Sequence, residues 1–202
     1  MRSQLLVIAA EPTVHSSALE DDEFFDGLDP AHQDKLFPLA RLSGKELGLD
    51  VAWVPIVYHE TWGLTLELQP RGDRFLVGVS RELSETEESA DLTREQIRKA
   101  PGLRLVPFDA EGGHGWDPFQ RASRAVSDAD RAWRSELSKR YLTPVVGHAG
   151  YEPLWVQAHA ARGARGTFVA QVNATEFGLC DVSVYVFWDA ATGTFVQVDQ
   201  MT

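Results

Sequence analysis

The segment Asp181-Val182-Ser183-Val184-Tyr185-Val186-Phe187-Trp188-Asp189 constrains the fold of this chain more than any other. Its interior is almost wholly apolar, aromatic or β-branched, without a polar alternation, which predicts a strand buried on both faces inside a sheet. Ala190-Ala191-Thr192-Gly193 then turns the chain toward a last strand that carries Phe195, Val196 and Val198. A central strand needs neighbours, and the sequence offers them. Val51 to Tyr58, Leu64 to Leu68 and Phe75 to Val79 are short apolar runs, and Thr167-Phe168-Val169-Ala170-Gln171-Val172-Asn173 is strand-like. The turn-like Gln69-Pro70-Arg71-Gly72-Asp73 joins two of these runs into a hairpin. Leu5 to Ala10 reads as a first strand and not as a signal peptide, because Glu11 interrupts the apolar run.

Two stretches predict helix. Asp117 and Pro118 form a cap and first turn, after which Phe119, Ala122, Val126, Ala129, Trp133 and Leu137 recur at three- and four-residue spacing. This gives one long amphipathic helix over residues 118–141. Its polar side carries Arg121, Arg124, Arg131 and Arg134, which read as a solvated face paired with Asp128 and Asp130. Near the N-terminus, the acidic run Glu20-Asp21-Asp22-Glu23 suits a helix start. Asp29-Pro30 then opens a helix that bends at Pro38 and stops at Gly48. Residues 80–116 read as a mobile surface excursion, with a capping box at Thr93-Arg94-Glu95-Gln96. The resulting expectation is an α+β fold: a mainly antiparallel sheet, the long helix and a helical N-terminal segment, in a single globular domain spanning residues 1–202.

Charge and composition narrow the function classes. The net charge is −11, and residues 1–50 hold −6 of it, whereas residues 101–150 carry +1. Such a field disfavours nucleic acid and attracts a basic partner. No run reaches the 18 apolar residues of a membrane span, so the cytoplasm is the expected compartment and no membrane is expected as a partner. Cys180 is the only cysteine, which excludes an intrachain disulfide and any metal site built on two thiolates. The six histidines form neither HxH nor HExxH, and no metal or other cofactor is expected. The loop Glu111-Gly112-Gly113-His114-Gly115 lacks the Lys and Ser/Thr of a phosphate-binding loop, and no serine sits in a GxSxG elbow.

The sharpest motif is Gly147-His148-Ala149-Gly150-Tyr151-Glu152-Pro153-Leu154-Trp155-Val156-Gln157. Gly150 can take a positive φ, Pro153 ends strand pairing, and the Gln157 amide can satisfy two backbone groups at once beside Trp155. With the strand-like runs that follow, this Gly-Tyr-x-Pro turn and Trp-x-Gln step resemble the C-terminal half of the YwqG-like family, over residues 143–202. That family is a bacterial domain of unassigned biochemical role. The resemblance implies a fold, and it carries over Asp181, in Phe177-Gly178-Leu179-Cys180-Asp181, from the family's Trp-Gly-Asp-like step. Candidate binding residues are therefore His148, Tyr151, Trp155, Gln157 and Asp181, and none is assigned as catalytic. The first functional expectation is a non-enzymatic protein-binding module, an inhibitor or immunity-type partner of a basic protein. The alternative is a small-molecule-binding or hydrolytic enzyme with its pocket near His148 and Asp181.

Overall fold

The computed structural model describes residues 4–10, 21–32, 34–61, 63–80, 102–108, 127–150, 152–157, 161, 163–179 and 182–201. The described strands are β1 (Leu5–Ala10), β2 (Leu36–Ser43), β3 (Trp53–His59), β4 (Thr65–Arg71), β5 (Arg74–Ser80) and β6 (Gly102–Pro107). They continue with β7 (Val145–Ala149), β8 (Thr167–Asn173), β9 (Val182–Asp189) and β10 (Thr194–Met201). Eight of them form one antiparallel sheet in the order β5-β4-β10-β9-β8-β7-β1-β6, and β2 pairs with β3 in a second, two-stranded sheet. The apolar run of β9 therefore sits inside the sheet, flanked by β10 and β8. Its inward alternation sends Val182, Val184 and Val186 to one face and Tyr185 and Phe187 to the other.

The α+β expectation is corrected: among the described residues the protein is mostly antiparallel β-sheet, with one short helix. Among the described residues only α2 (Ser127–Tyr141) exceeds one helical turn, α1 being the four residues Asp21–Phe24. Residues 118–126 of the expected long helix lie outside the described residues. The described helix is short, fifteen residues in place of the long helix expected, and packs Trp133 and Leu137 on Leu6, Ile8 and Val145 of the sheet.

The expected N-terminal helix over 29–48 is replaced by a turn and a strand. Asp29 does cap, since its Oδ1 accepts from the Ala31 N–H at 2.9 Å, but the chain makes only tight turns through His32 and Lys35. Leu36 to Ala40 are then all buried, a contiguous apolar run that one helical stripe could not bury but a strand packed on both faces can. Pro38 breaks no helix; it lies beside the bulge between Pro38 and Ala40, where a missing N–H is tolerated. Within the stretch 80–116, Gly102–Pro107 forms an edge strand paired with β1. The capping box at 93–96 lies outside the described residues.

Layers follow from the two faces of the large sheet. Leu5, Val7, Leu66, Leu68, Val184 and Phe195 face β2–β3 and the one-turn helix α1, whose Phe24, with the following Phe25, is buried against Phe75. The opposite face receives α2 and the segment 154–157. The β4–β5 hairpin turns on Gly72, which takes φ 64°, and Arg71 pairs with Arg74 across it. At Gly147 a Cβ would lie 1.9 Å from the Gln171 carbonyl oxygen, so the bulged stretch of β7 reaches β8 only without a side chain.

A single side chain joins the two sheets. On β10, the Gln197 Oε1 accepts from the Val57 N–H at 2.9 Å, and its Nε2 donates to the Val57 carbonyl oxygen. Val57 and Gln197 are both buried, so water cannot replace either bond. The variant Gln197→Met keeps the volume and leaves a buried N–H and a buried carbonyl unpaired, which predicts a loss of about 2–4 kcal/mol. Urea denaturation of the two proteins measures it, and a change below about 0.5 kcal/mol, the scale of a neutral surface substitution, would refute the role of this clamp.

Candidate functional site

The sequence-derived residues occupy the face that carries α2. His148, on β7, is 2% exposed and packs between Trp133 of α2 and Phe168 of β8, with ring centroids 5.9 and 5.5 Å away. Its Nε2 lies 3.1 Å from the Gln171 Oε1. Because the Gln171 Nε2 donates to the Leu154 carbonyl oxygen, Oε1 must accept, which fixes the proton of His148 on Nε2. Burial, with a smaller contribution from the Arg134 charge, lowers the imidazole to about 3 against the bond from Gln171. His148 is therefore neutral.

Trp155 is half-buried, its ring 4.5 Å from that of Tyr185 and stacked at 6.1 Å on Phe187. Gln157 is exposed; its N–H donates to the Gln200 Oε1 and its Nε2 to the Met201 carbonyl oxygen, both at 3.2 Å. The amide that satisfies both groups of one backbone unit here is Gln171, which accepts from the Leu154 N–H at 2.8 Å and donates to its carbonyl oxygen at 2.9 Å. Tyr185 adds a second anchor, its hydroxyl donating to the Leu154 carbonyl oxygen and accepting from the Val156 N–H, each at 3.0 Å. The tract is thus fastened along the sheet, with His148, Trp155 and Gln157 in separate surroundings. Tyr151 and Asp181 lie outside the described residues, as do Cys180 and the loop at 111–115.

The titratable groups that do share a cavity lie on the other face, between the two sheets. His59 ends β3 and is 6% exposed, and Asp199 stands on β10. Together with Tyr58, Leu64, Leu66 and Gln197 they line a cavity with about 10 Å³ of room for the centre of a water molecule, enough for one. The Thr61 N–H donates to the His59 Nδ1 at 2.9 Å, so the proton of His59 sits on Nε2, which donates to the His32 Nδ1 at 3.2 Å. Burial, assisted by the proximity of His32, lowers His59 to about 4. Asp199 keeps a strip of accessible surface, but desolvation of its carboxyl pushes it up to about 7, against hydrogen bonds from its own N–H and that of Gly63.

A carboxyl near neutrality beside a neutral imidazole is the pair that acid–base chemistry uses. Here the space beside them fits a water and not a substrate, which makes the cluster a polar joint between the sheets. Among the described residues no group of three His, Cys, Asp or Glu side chains is placed to hold a metal ion. No helix of the described residues is long and apolar enough to cross a membrane. The signal that could have located the joint is the period of β10: Gln197 and Asp199 follow Phe195 at two-residue steps, which puts two polar groups on a core-facing row.

The raised carboxyl makes stability depend on pH in a defined direction. Below about 4, the ordinary carboxylate value, Asp199 is protonated in both folded and unfolded chains and costs nothing. As pH rises from there to about 7 the unfolded chain ionises first, so stability is lost across that window. Asp199→Asn removes this loss. The variant should match the wild type in urea denaturation at pH 3 and exceed it at pH 8; an equal margin at both values would refute the assignment. Comparison of the chain with protein-family models, curated proteins and solved structures returns no match.

Proposed function

We propose that this protein is a non-enzymatic, cytoplasmic protein-binding module of inhibitor or immunity type, whose partner is a basic protein. One observation carries the reading: the end of the β2–β3 hairpin combines an exposed tryptophan with acidic residues. Trp53 begins β3 with 37% of its surface accessible, although the rest of that strand is buried. The loop that leads to it exposes Glu46 and Asp50, with Lys45 as its single base. An accessible tryptophan offers a large rigid anchor, and carboxylates around it steer a cationic surface toward it.

The charge of the whole chain, −11, supports the same polarity of partner. The closure of the interior also supports a binding role, because His148 and His59 are neutral and walled in by packing and not presented to a ligand-sized cavity. YwqG-like domains, which residues 143–202 resemble, have no assigned reaction, so the resemblance adds none.

The test is affinity purification from native-host lysate with tagged wild type and Trp53→Ala, at low and at moderate salt. One stoichiometric basic partner is expected, released as salt rises and bound about tenfold more weakly by the variant, as truncating an interface anchor does. A wild-type protein recovered bare at both salt concentrations, or a partner indifferent to both salt and Trp53, would refute the proposal.

A further inference from the structure

The loop that joins β2 to β3 is held in one shape by its own backbone. The Gly44 N–H donates across the hairpin to the Ala52 carbonyl oxygen, and the Leu49 N–H donates to that of Gly44, both at 2.9 Å. Ser43, which pairs with Trp53, accepts the Leu47 N–H at its carbonyl oxygen and the Glu46 N–H at Oγ, both at 3.3 Å. A Cβ on Gly44 would lie 2.1 Å from the Val51 carbonyl oxygen, so the loop closes this tightly only with glycine there. Leu47 is buried, and Leu49 and Val51 pack partly against the core. Glu46, Asp50 and Trp53, on the same stretch, are left exposed.

These three side chains are uncommitted among the described residues. Asp26, Glu67, Glu136 and Asp189 each face a base, whereas Glu46 and Asp50 face none, and Lys45, the base of the same loop, pairs with neither. The Trp53 ring meets no other aromatic ring and no guanidinium, although Phe24 and Tyr141 each carry an arginine of this chain. An accessible indole beside unpaired carboxylates, on a loop that needs no ordering, suits one kind of cation better than the other. A guanidinium is weakly hydrated, lies flat on an indole and offers paired N–H donors to a carboxylate at the same time. A lysine ammonium is a compact, strongly hydrated charge that gains less from the ring.

We infer that the loop between β2 and β3 is an arginine-recognition surface, on which a partner's guanidinium stacks against Trp53 and is held by Glu46 and Asp50. The inference rests on the binding role proposed above and names the side chain that the partner presents. The −11 charge of the chain draws in any basic surface from a distance, and it does not distinguish arginine from lysine. Discrimination comes from Trp53, because only the planar cation uses the ring and a carboxylate together. The fixed backbone of the loop adds affinity by sparing the cost of ordering it on contact.

The test is a titration of the ¹⁵N-labelled protein with blocked tetra-arginine and tetra-lysine peptides, which carry equal charge. Saturable shifts are expected at the Trp53 indole N–H and at the Glu46 and Asp50 amides for the arginine peptide, with the lysine peptide at least about tenfold weaker. Trp53→Leu should remove the difference between the two peptides while leaving part of the attraction. Glu46→Gln/Asp50→Asn changes two exposed side chains and keeps the bond from the Glu46 N–H to Ser43, so it should weaken the arginine peptide about tenfold with an unchanged thermal midpoint. Equal affinity for the two peptides, shifts confined to other parts of the protein, or variants of unchanged affinity would overturn the inference. A basic partner captured from lysate while the peptides bind equally would keep the binding role and remove the arginine. Arginine selectivity with no partner captured would do the reverse.

Discussion

A primary amide buried in an apolar core needs both a donor and an acceptor, and a residue of backbone outside the sheet offers both at once. The large sheet uses this twice, once on each face. Gln197 holds the Val57 unit of β3 on one side, and Gln171 holds the Leu154 unit on the other. Neither partner is a neighbouring strand of the large sheet, so the two glutamines set where the second layers attach and in which register. Apolar packing alone would tolerate sliding, because dispersion and area burial are non-directional. An unpaired buried amide would not, since its desolvation is not returned. Tyr185 and Gln200 extend the same logic along the segment 154–157, which has no regular structure of its own yet follows one fixed path.

The same interior decides the state of its titratable groups. His59, His148 and Asp199 are all shifted toward their neutral forms, and in each the largest cause is loss of solvent. Hydrogen bonds restore part of that loss but do not reverse it. The joint between the sheets is consequently polar, with Asp199 protonated below about 7. The His59 Nε2–H donates to the His32 Nδ1, the Thr61 N–H orients the ring, and the cavity beside Asp199 has room for one water.

Local sequence was sufficient for features whose cause is local. The unbroken apolar run of β9, the Gly72 turn and the Gly193 turn each carry their own conformational preference, and these elements stand where period and turn chemistry place them. The segment Leu36–Ser43 was not legible, because the Asp29-Pro30 cap and the break at Pro38 are also what a kinked helix shows. Pairing with β3 overrode them by burying Leu36 to Ala40 on both faces. In the motif tract, the residue types around Gly150 announced a rigid turn. Only the bulge in β7 determined that His148 faces Trp133, and only the strand pairing of β8 that Gln171, not Gln157, supplies the two-bond amide. His59 and Asp199 are 140 positions apart in the chain, as are Val57 and Gln197. The sequence by itself determined the strands and the polar residues within them; which of those residues meet was decided by the tertiary structure, because a buried donor or acceptor is satisfied by whatever the fold brings to it.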